Sequence, residues 1–584
     1  MSVVELNVNS TLIDTNFDGY KLSFEPVPVL RQNLEFSPMR QELITDDFSL
    51  LHAQLFDYQN HLFADPWLSY DSYFIDVRHQ LIQCKYNPLT RLADGQRVVY
   101  AMKYGDQGDG DKNDLMHYNY TLKFVSERLC VICDGLTSYH LIDTGDRSRS
   151  GPQDWQLITR TPVNSAGEYH GYVLYDARMD WKTDTECKQI SLVAGHVAHR
   201  YVVRKRHQIQ VHFIDLTLGR WTKTMESNEW FYRVFQRLET TGSIQYCTFE
   251  LGAESLIVAS KREVQTPEQR KASDDDIAEA AANASPDILD CLLENGSEAN
   301  YTWSQTIEKV FIKLELPPYV PQSSFEVRCT TCSVVVEYMT HVIFTACLYG
   351  DLDPDFPEWK MKSNGLEVEL TKEEHEYWPQ LLAELKDGVE EEIKLIKKGE
   401  LPFPNLLEPS EEDDMNYDDT RMVRFNFISG CITHTIFLDI SPLQFSKTLL
   451  PGFPAAFATR EGVDTSIWMQ NLQPTPTNEW SVSHEGQLHA FGIMYASKNN
   501  RKFASCCPDL EYAVICERSR HVTIYQPLHD ADNGLRNRDG SPVSKGKQSI
   551  VTLPARTGEI LGMNTSKNLI TILSKNALLH LQIF

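Results

Sequence analysis

At 584 residues the chain exceeds the roughly 100 to 200 residues of a single domain, so at least two cores are expected unless one large closed architecture takes up much of the length. Its 42 % apolar and 10 % aromatic residues exclude disorder throughout. A net charge of −26, from 55 Lys plus Arg against 81 Asp plus Glu, repels polyphosphate and anionic lipid at long range and argues against direct nucleic-acid binding.

In chain order, Met1 to Ser10 has neither a basic stretch nor a long apolar one, so no secretory signal is read there. Nothing approaches the roughly 18 apolar residues of a membrane span, and no membrane insertion is expected. The reading is a soluble intracellular protein, whose 13 Cys stay thiols and whose Asn-x-Ser/Thr sites, Asn9, Asn119 and Asn300 among them, are silent. Short apolar runs with period-two alternation then recur between Gly, Asp, Asn, Pro and Ser clusters. They include Leu129 to Asp134 and Ser138 to Asp143 around Gly135, Ile209 to Leu216 and Ser255 to Ser260.

The charge changes abruptly after this stretch. Residues 1–272 carry −6 and residues 421–584 carry +4, whereas 273–420 hold 10 basic and 34 acidic side chains, or −24. Residues 273–300, with 8 acids and no Lys or Arg, read as an acidic linker with a short helix at Pro286 to Leu293. Residues 301–383 read as a compact β-sandwich of about seven strands. In its clearest strand Val310, Ile312, Leu314 and Leu316 face one way and Lys313 and Glu315 the other. Residues 384–420 read as a helix and a second acidic linker. The apolar spacing of Leu382, Leu385, Val389, Ile393, Leu395 and Ile396 predicts one amphipathic helix over 381–398.

Beyond residue 420 the alternating runs resume at Phe503 to Cys507, Tyr512 to Glu517, His521 to Gln526, Leu569 to Ser574 and Ala577 to Phe584. Many short antiparallel strands without long helices indicate an all-β fold, and radial stacking of four-stranded blades avoids long exposed edges. The 164 C-terminal residues supply only about three or four blades at roughly 40 to 45 residues each, too few to close a ring alone. The expectation is therefore one β-propeller formed by 1–272 and 421–584 and interrupted by the sandwich. Two independent β domains are the alternative.

Catalytic and metal templates fail residue by residue. His484-Glu485-Gly-Gln-Leu-His489 spaces its histidines five apart rather than four, and Gly486 disfavours the helix that would align them. Asp109-Gly-Asp111-Lys-Asn113 begins like a calcium loop but has Asp114 where Gly is required and Tyr120 in place of the closing Glu. Cys130/Cys133 and Cys329/Cys332 are Cys-x-x-Cys pairs in β-like surroundings, where residues three apart point to opposite faces; buried thiols are the default and a redox role the alternative. Arg204-Lys205-Arg206 reads as a solvated strand end. No Gly-x-Ser-x-Gly elbow or phosphate loop occurs, so the chain reads as a non-enzyme without cofactor or metal.

One set of residues carries a family resemblance. Tyr301-x-Trp303-x-Gln305-Thr306, the Val310 to Pro317 strand, Leu348-Tyr349-Gly350-Asp351-Leu352-Asp353, Trp359, the Gly365 to Thr371 strand and Trp378-Pro379-Gln380-Leu381 match the CS domain in order and spacing. In the flanks Phe17 to Pro26, Ser72 to Asp76, Tyr512 to Glu517, Val522 to Pro527 and Ile560-Leu-Gly562 also resemble the NudC family, so the resemblance spans nearly the whole chain. It implies a non-catalytic co-chaperone or adaptor, present in cytoplasm and nucleus. The CS domain would engage the ninety-kilodalton heat-shock chaperone or a client, with β-propeller or other multi-domain proteins as clients, and the propeller would hold a protein partner. The alternative is a propeller scaffold in trafficking or RNA-processing assemblies with a regulatory CS domain. Tyr301, Trp303, Tyr349, Trp359, Trp378 and Pro379 are the candidate binding residues. By size alone Trp303 and Trp378 also suit a small sandwich core.

Overall fold

The computed structural model describes the chain except residues 1, 42–48, 58, 103–117, 137, 150–153, 162–171, 183–185, 205–206, 225–228, 272–300, 316–324, 339–340, 353–357, 363–364, 375, 384–392, 396–419, 472–478, 499, 519, 528–542 and 584. The calcium-like segment at 109–114 and the acidic linker at 273–300, with its helix at 286–293, lie outside the described residues, as does most of the second linker.

Antiparallel strands follow one another in groups of four. Blade 1 takes Phe63–Ala64, Asp71–Ile75, Gln80–Asn87 and Arg97–Ala101, and blade 2 takes Thr121–Phe124, Leu129–Cys133, Tyr139–Asp143 and Gln156–Arg160. Blade 3 is Val173–Lys182, Cys187–Arg204, His207–Thr224 and Phe231–Thr240. Blade 4 starts with Ile244–Phe249 and Ser255–Ser260 and finishes with Arg421–Asn426 and Cys431–Phe437. Blade 5 is Leu443–Lys447, Ala456–Glu461, Asp464–Gln470 and Val482–Leu488, and blade 6 is Arg501–Cys506, Ala513–Glu517, His521–Gln526 and Ser544–Thr552. Blade 7 has Ile560–Ser566, Leu569–Ser574 and Ala577–Gln582, and its outer strand is Val29–Asn33 from the other end of the chain.

The ring is closed, because a separate apolar cluster fills each of the seven gaps between neighbouring blades. Strand alternation produces this directly. On Leu129–Cys133, Cys130 and Ile132 pack toward blade 1 while Val131 and Cys133 pack toward blade 3. Between blades 7 and 1, Leu561, Leu573 and Leu578 meet Leu62, Phe74 and Ile82. Each such buried aliphatic side chain stabilises the ring by about 1.5–3 kcal/mol. Tight turns join the strands. Gly135 has a φ of +73°, and a side chain there would lie 2.0 Å from Tyr118 O, so the turn admits only Gly.

Closure also uses pairing across the whole sequence. Val29 opposes Leu581 and Asn33 opposes Ala577. Before reaching blade 7, the N-terminal segment adds Ser2–Val3 in parallel to the outer strand of blade 4 and Phe17–Ser23 in parallel to that of blade 6. These additions cover edges that would otherwise be open to foreign strands.

The inserted sandwich leaves and re-enters the ring at one point. Ser260 and Arg421 are direct cross-strand partners on the second and third strands of blade 4, so the insertion stands where an ordinary blade has a hairpin turn. Its seven strands from Tyr301–Gln305 to Gly365–Thr371 form two facing sheets. The helix expected over 381–398 is corrected by the described part of that stretch. Leu382 bridges Leu348, and Ile393–Leu395 is a strand parallel to Trp303–Gln305. A β-branched residue at an open sheet edge gains backbone pairing there, which outweighs a weak helical spacing.

Candidate functional site

The sandwich core forms from the alternating strands themselves. Val310, Ile312 and Leu314 face Val334, Val336, Phe344 and Leu366 across the two sheets, all but fully buried. At one end of this core a polar hub ties the last turn to the first strand. Lys372, 1 % exposed, donates from Nζ to Gln305 Oε1 at 2.7 Å, Thr306 O at 3.0 Å and Glu376 O at 2.5 Å. Gln305 Nε2 donates to Trp378 O at 2.7 Å, and Trp378 N donates to Gln305 Oε1 at 2.8 Å. The ammonium also lies 5.2 Å from the Trp378 ring and 5.7 Å from that of Tyr377. Burial pushes the amine down to about 8. Buried, three acceptors and an aromatic face hold this lysine in place of solvent.

The candidate residues separate into two groups around this hub. Trp303 and Trp378, 4 % and 2 % exposed, are core residues and too deep to touch a partner, which corrects their reading as contacts. Tyr301 and Trp359 pack partly buried against the same core, Tyr301 with its ring 5.1 Å from that of Phe344. Tyr349, 45 % exposed, and Pro379 reach solvent, and Tyr377 at 55 % joins them. Gly350 brings the loop of Tyr349 down onto Trp378, since a side chain there would lie 2.6 Å from the indole Nε1. The buried tryptophan therefore positions an exposed aromatic end edged by Asp351, Glu373, Glu374 and Glu376. Sequence reasoning missed Lys372 and Tyr377; the only signal was a lysine ending a strand of clean alternation.

The second concavity is the axis of the ring. The first strands of all seven blades line a cavity of about 720 Å³, with Ala64, Lys123, Asp176, Thr248, Lys447, Ser505 and Thr565 on its wall. Its polar side chains stitch blades together. Asp176 accepts from Thr248 Oγ1 at 2.7 Å and Phe249 N at 2.9 Å, and Lys447 Nζ donates to Thr565 O at 2.7 Å. At its rim Arg147 clasps Asp65 with Nε–Oδ2 at 2.7 Å and Nη2–Oδ1 at 3.2 Å, joining blades 1 and 2.

The thiols follow strand geometry. Cys130 and Cys133 lie on opposite faces of one strand, and burial pushes both thiols far up, out of the reactive range. Cys329 and Cys332 flank the turn between two CS strands and are part-exposed. His484 sits on a strand, not a helix. Among the described residues no group of three His, Cys, Asp or Glu could hold a metal ion, and no helix is long and apolar enough to cross a membrane.

Comparison with known proteins places this architecture. The CS domain family matches residues 299–372, which are the sandwich. NudC domain-containing protein 1 of Xenopus laevis is 24 % identical over 600 aligned positions, covering 98 % of this chain and 97 % of that protein. The chain is a full-length homologue of NudC domain-containing protein 1. The Mus musculus protein of that name is 23 % identical, with 98 % of each chain covered. Among solved structures, Chaetomium thermophilum Sqt1 bound to the N-terminus of the ribosomal protein L10 is similar over 90 % of this chain and 97 % of that one, at 9 % identity and a TM-score of 0.28. The chain thus combines a stretch similar to the CS domain with a propeller whose evidence is its own strand pairing.

Proposed function

We propose that this protein is a non-enzymatic co-chaperone or adaptor. The propeller holds a protein partner, and the CS domain engages the ninety-kilodalton heat-shock chaperone or a client; clients are β-propeller or other multi-domain proteins, met in cytoplasm and nucleus. The observation that carries this reading is the insertion of a complete CS sandwich at a single hairpin position of a closed ring in a full-length NudC-family homologue. Such an arrangement presents two binding bodies from one chain, and two modest contacts then act at high effective concentration.

The insertion point makes the test clean. Because Ser260 and Arg421 are cross-strand neighbours, residues 301–383 can be replaced by a short linker without opening the ring, provided 261–271 are kept, since Val264 packs in the core between blades 3 and 4. The ring alone should keep its partner and lose the ninety-kilodalton chaperone in affinity purification from cells, and client lifetime should shorten. Retention of chaperone and unchanged client lifetime would overturn the co-chaperone role and leave a propeller scaffold.

A further inference from the structure

Helix α1 (Leu50–Asp57) lies where the propeller, a long β-arm and the CS sandwich meet. Its Leu51, Leu55 and Phe56 are buried with Tyr118, Val197 and Ile214 in the core between blades 3 and 4. The arm is the extension of blade 3 in which two strands continue alone, from Ala198 opposite Phe213 to Arg204 opposite His207. Helix α1 contacts the second strand of that arm, and it also contacts Phe325–Cys329 and Ser333–Tyr338 of the three-stranded CS sheet. The whole strand His207–Thr224, whose first part is one side of the arm, also contacts the third strand of that sheet, His341–Cys347.

On the CS side the joint is the outer face of the sheet. Val334 and Val336 belong to the sandwich core, so Val335 between them points away from it. It is nevertheless only 2 % exposed, with Val342 and Cys347 beside it. On the same face Glu326 senses Lys261 and Arg262, the two residues that follow the second strand of blade 4. Burial pushes its carboxyl up, but Arg328, Lys261 and Arg262 outweigh that and hold it below the usual range. The sandwich is therefore seated on the propeller, while Tyr349, Tyr377 and Pro379 stay exposed.

The contact of α1 with the arm is made of imidazoles. His52 is buried on α1, and its Nδ1 accepts from Ser49 N at 3.1 Å. Its ring stands edge-on to His212 with centres 5.8 Å apart, and His212 lies 6.1 Å from its cross-strand partner His199. His196, at the root of the arm, packs edge-on to Tyr172 at 5.3 Å. Burial first, and then His212, His196 and His199, hold His52 down to about 3. The charged groups around the cluster are Asp215 opposite His196, the Arg200–Glu239–Arg270 group at the arm's root, and Glu326, Arg328 and Glu337 on the CS sheet.

We infer that the cluster of His52, His199 and His212 is a protonation-sensitive latch that seats the CS sandwich on the propeller through α1. With neutral rings α1 lies on the arm and covers the outer face of the CS sheet. Protonation sets like charges against one another across that contact and favours the released form. The seated His52 binds its proton less well than a free imidazole, so seating is at full strength above pH 6.5 and weakens as pH falls from there toward 3. Between pH 7.5 and 5.5 one such imidazole weakens it about tenfold.

An eight-residue helix is unstable without its contacts, so α1 reports the latch. Amide hydrogen exchange of the full chain, corrected for the intrinsic effect of pH, should show α1 protection falling about tenfold from pH 7.5 to 5.5. Strand Leu569–Ser574 of blade 7 serves as the reference. His52→Gln should abolish most of that dependence, and Val335→Asp, which leaves the sandwich core intact, should lower α1 protection at pH 7.5. Protection of α1 independent of pH in the unaltered chain overturns the latch. Protection unaffected by Val335→Asp overturns the seating of the CS domain, and an undiminished pH response in His52→Gln overturns the role of that ring.

Discussion

The propeller and the CS sandwich are both antiparallel β, yet they are stabilised in opposite ways. The ring distributes its apolar residues over seven separate gaps, each needing two blades, and its two sequence segments sum to a charge near neutral. The sandwich has one core and one buried polar hub, within the stretch that carries −24. Radial architecture makes stability collective, because no blade can bury its faces alone. A sandwich is complete in itself, which is what lets it be inserted into another fold.

The strongest way to break this comparison is to cut the chain. Fragments 1–272 and 421–584 each contain part of blade 4 and part of blade 7, so each should be insoluble or unfolded alone, and co-expression should give one folded complex by size-exclusion chromatography. Two independently folded monomers would mean two β domains instead of one ring. Next in size is Arg424, whose guanidinium clasps Glu250 and so joins the two halves of blade 4, with Nε–Oε2 at 2.9 Å and Nη2–Oε1 at 3.1 Å, both side chains almost fully buried. Arg424→Met strands a buried carboxylate and should lower ring stability by about 3–5 kcal/mol in chemical denaturation. Adding Glu250→Leu should restore much of it.

Lys372→Met probes the sandwich in the same way. It leaves the acceptors on Gln305, Thr306 and Glu376 without their donor and should cost about 2–3 kcal/mol. The loss should appear in the CS unfolding transition only; a matching shift in the ring transition would mean that the two regions unfold as one. The smallest effect is a pH dependence of the ring. His580 is 2 % exposed on the strand that receives Val29–Asn33, opposite Leu30, and burial holds its imidazole down to about 4. Its folded value lies below that of the unfolded chain, so ring stability is unaffected above pH 6.5 and falls between 6.5 and 4. At pH 5.5 the loss from this residue is about 1.4 kcal/mol, and His580→Gln should remove that increment from the melting profile.

Particular residues show how far the sequence reaches. The alternation of Val310, Ile312 and Leu314, and of Cys130 and Ile132 against Val131 and Cys133, already assigns their faces, because a strand has a period of two whatever packs on it. The charge step at residues 273–420 marks the insertion for a similar reason, since solvated charge accumulates where no core is being built. Trp303 and Trp378 were ambiguous because a large aromatic suits a core and a binding surface equally well, and only its depth decides. Lys372 was invisible because two of its three acceptors, on Gln305 and Thr306, lie at the end of the first strand of the sandwich, far from it in sequence. The helix over 381–398 misled because local spacing says nothing of an open sheet edge nearby.

The sequence by itself thus determined the all-β class and a compact sandwich between two flanks, which follow from local period and composition; its CS character rested on the resemblance of its motifs. Tertiary structure alone decided the seven blades, the closure of Val29–Asn33 on Ala577–Gln582, the shared entry and exit at Ser260 and Arg421, and the histidine contact beneath α1. The pairings that close the ring, seat the insertion and bring the histidines together join residues far apart in sequence, and no local pattern encodes which strand will complete another.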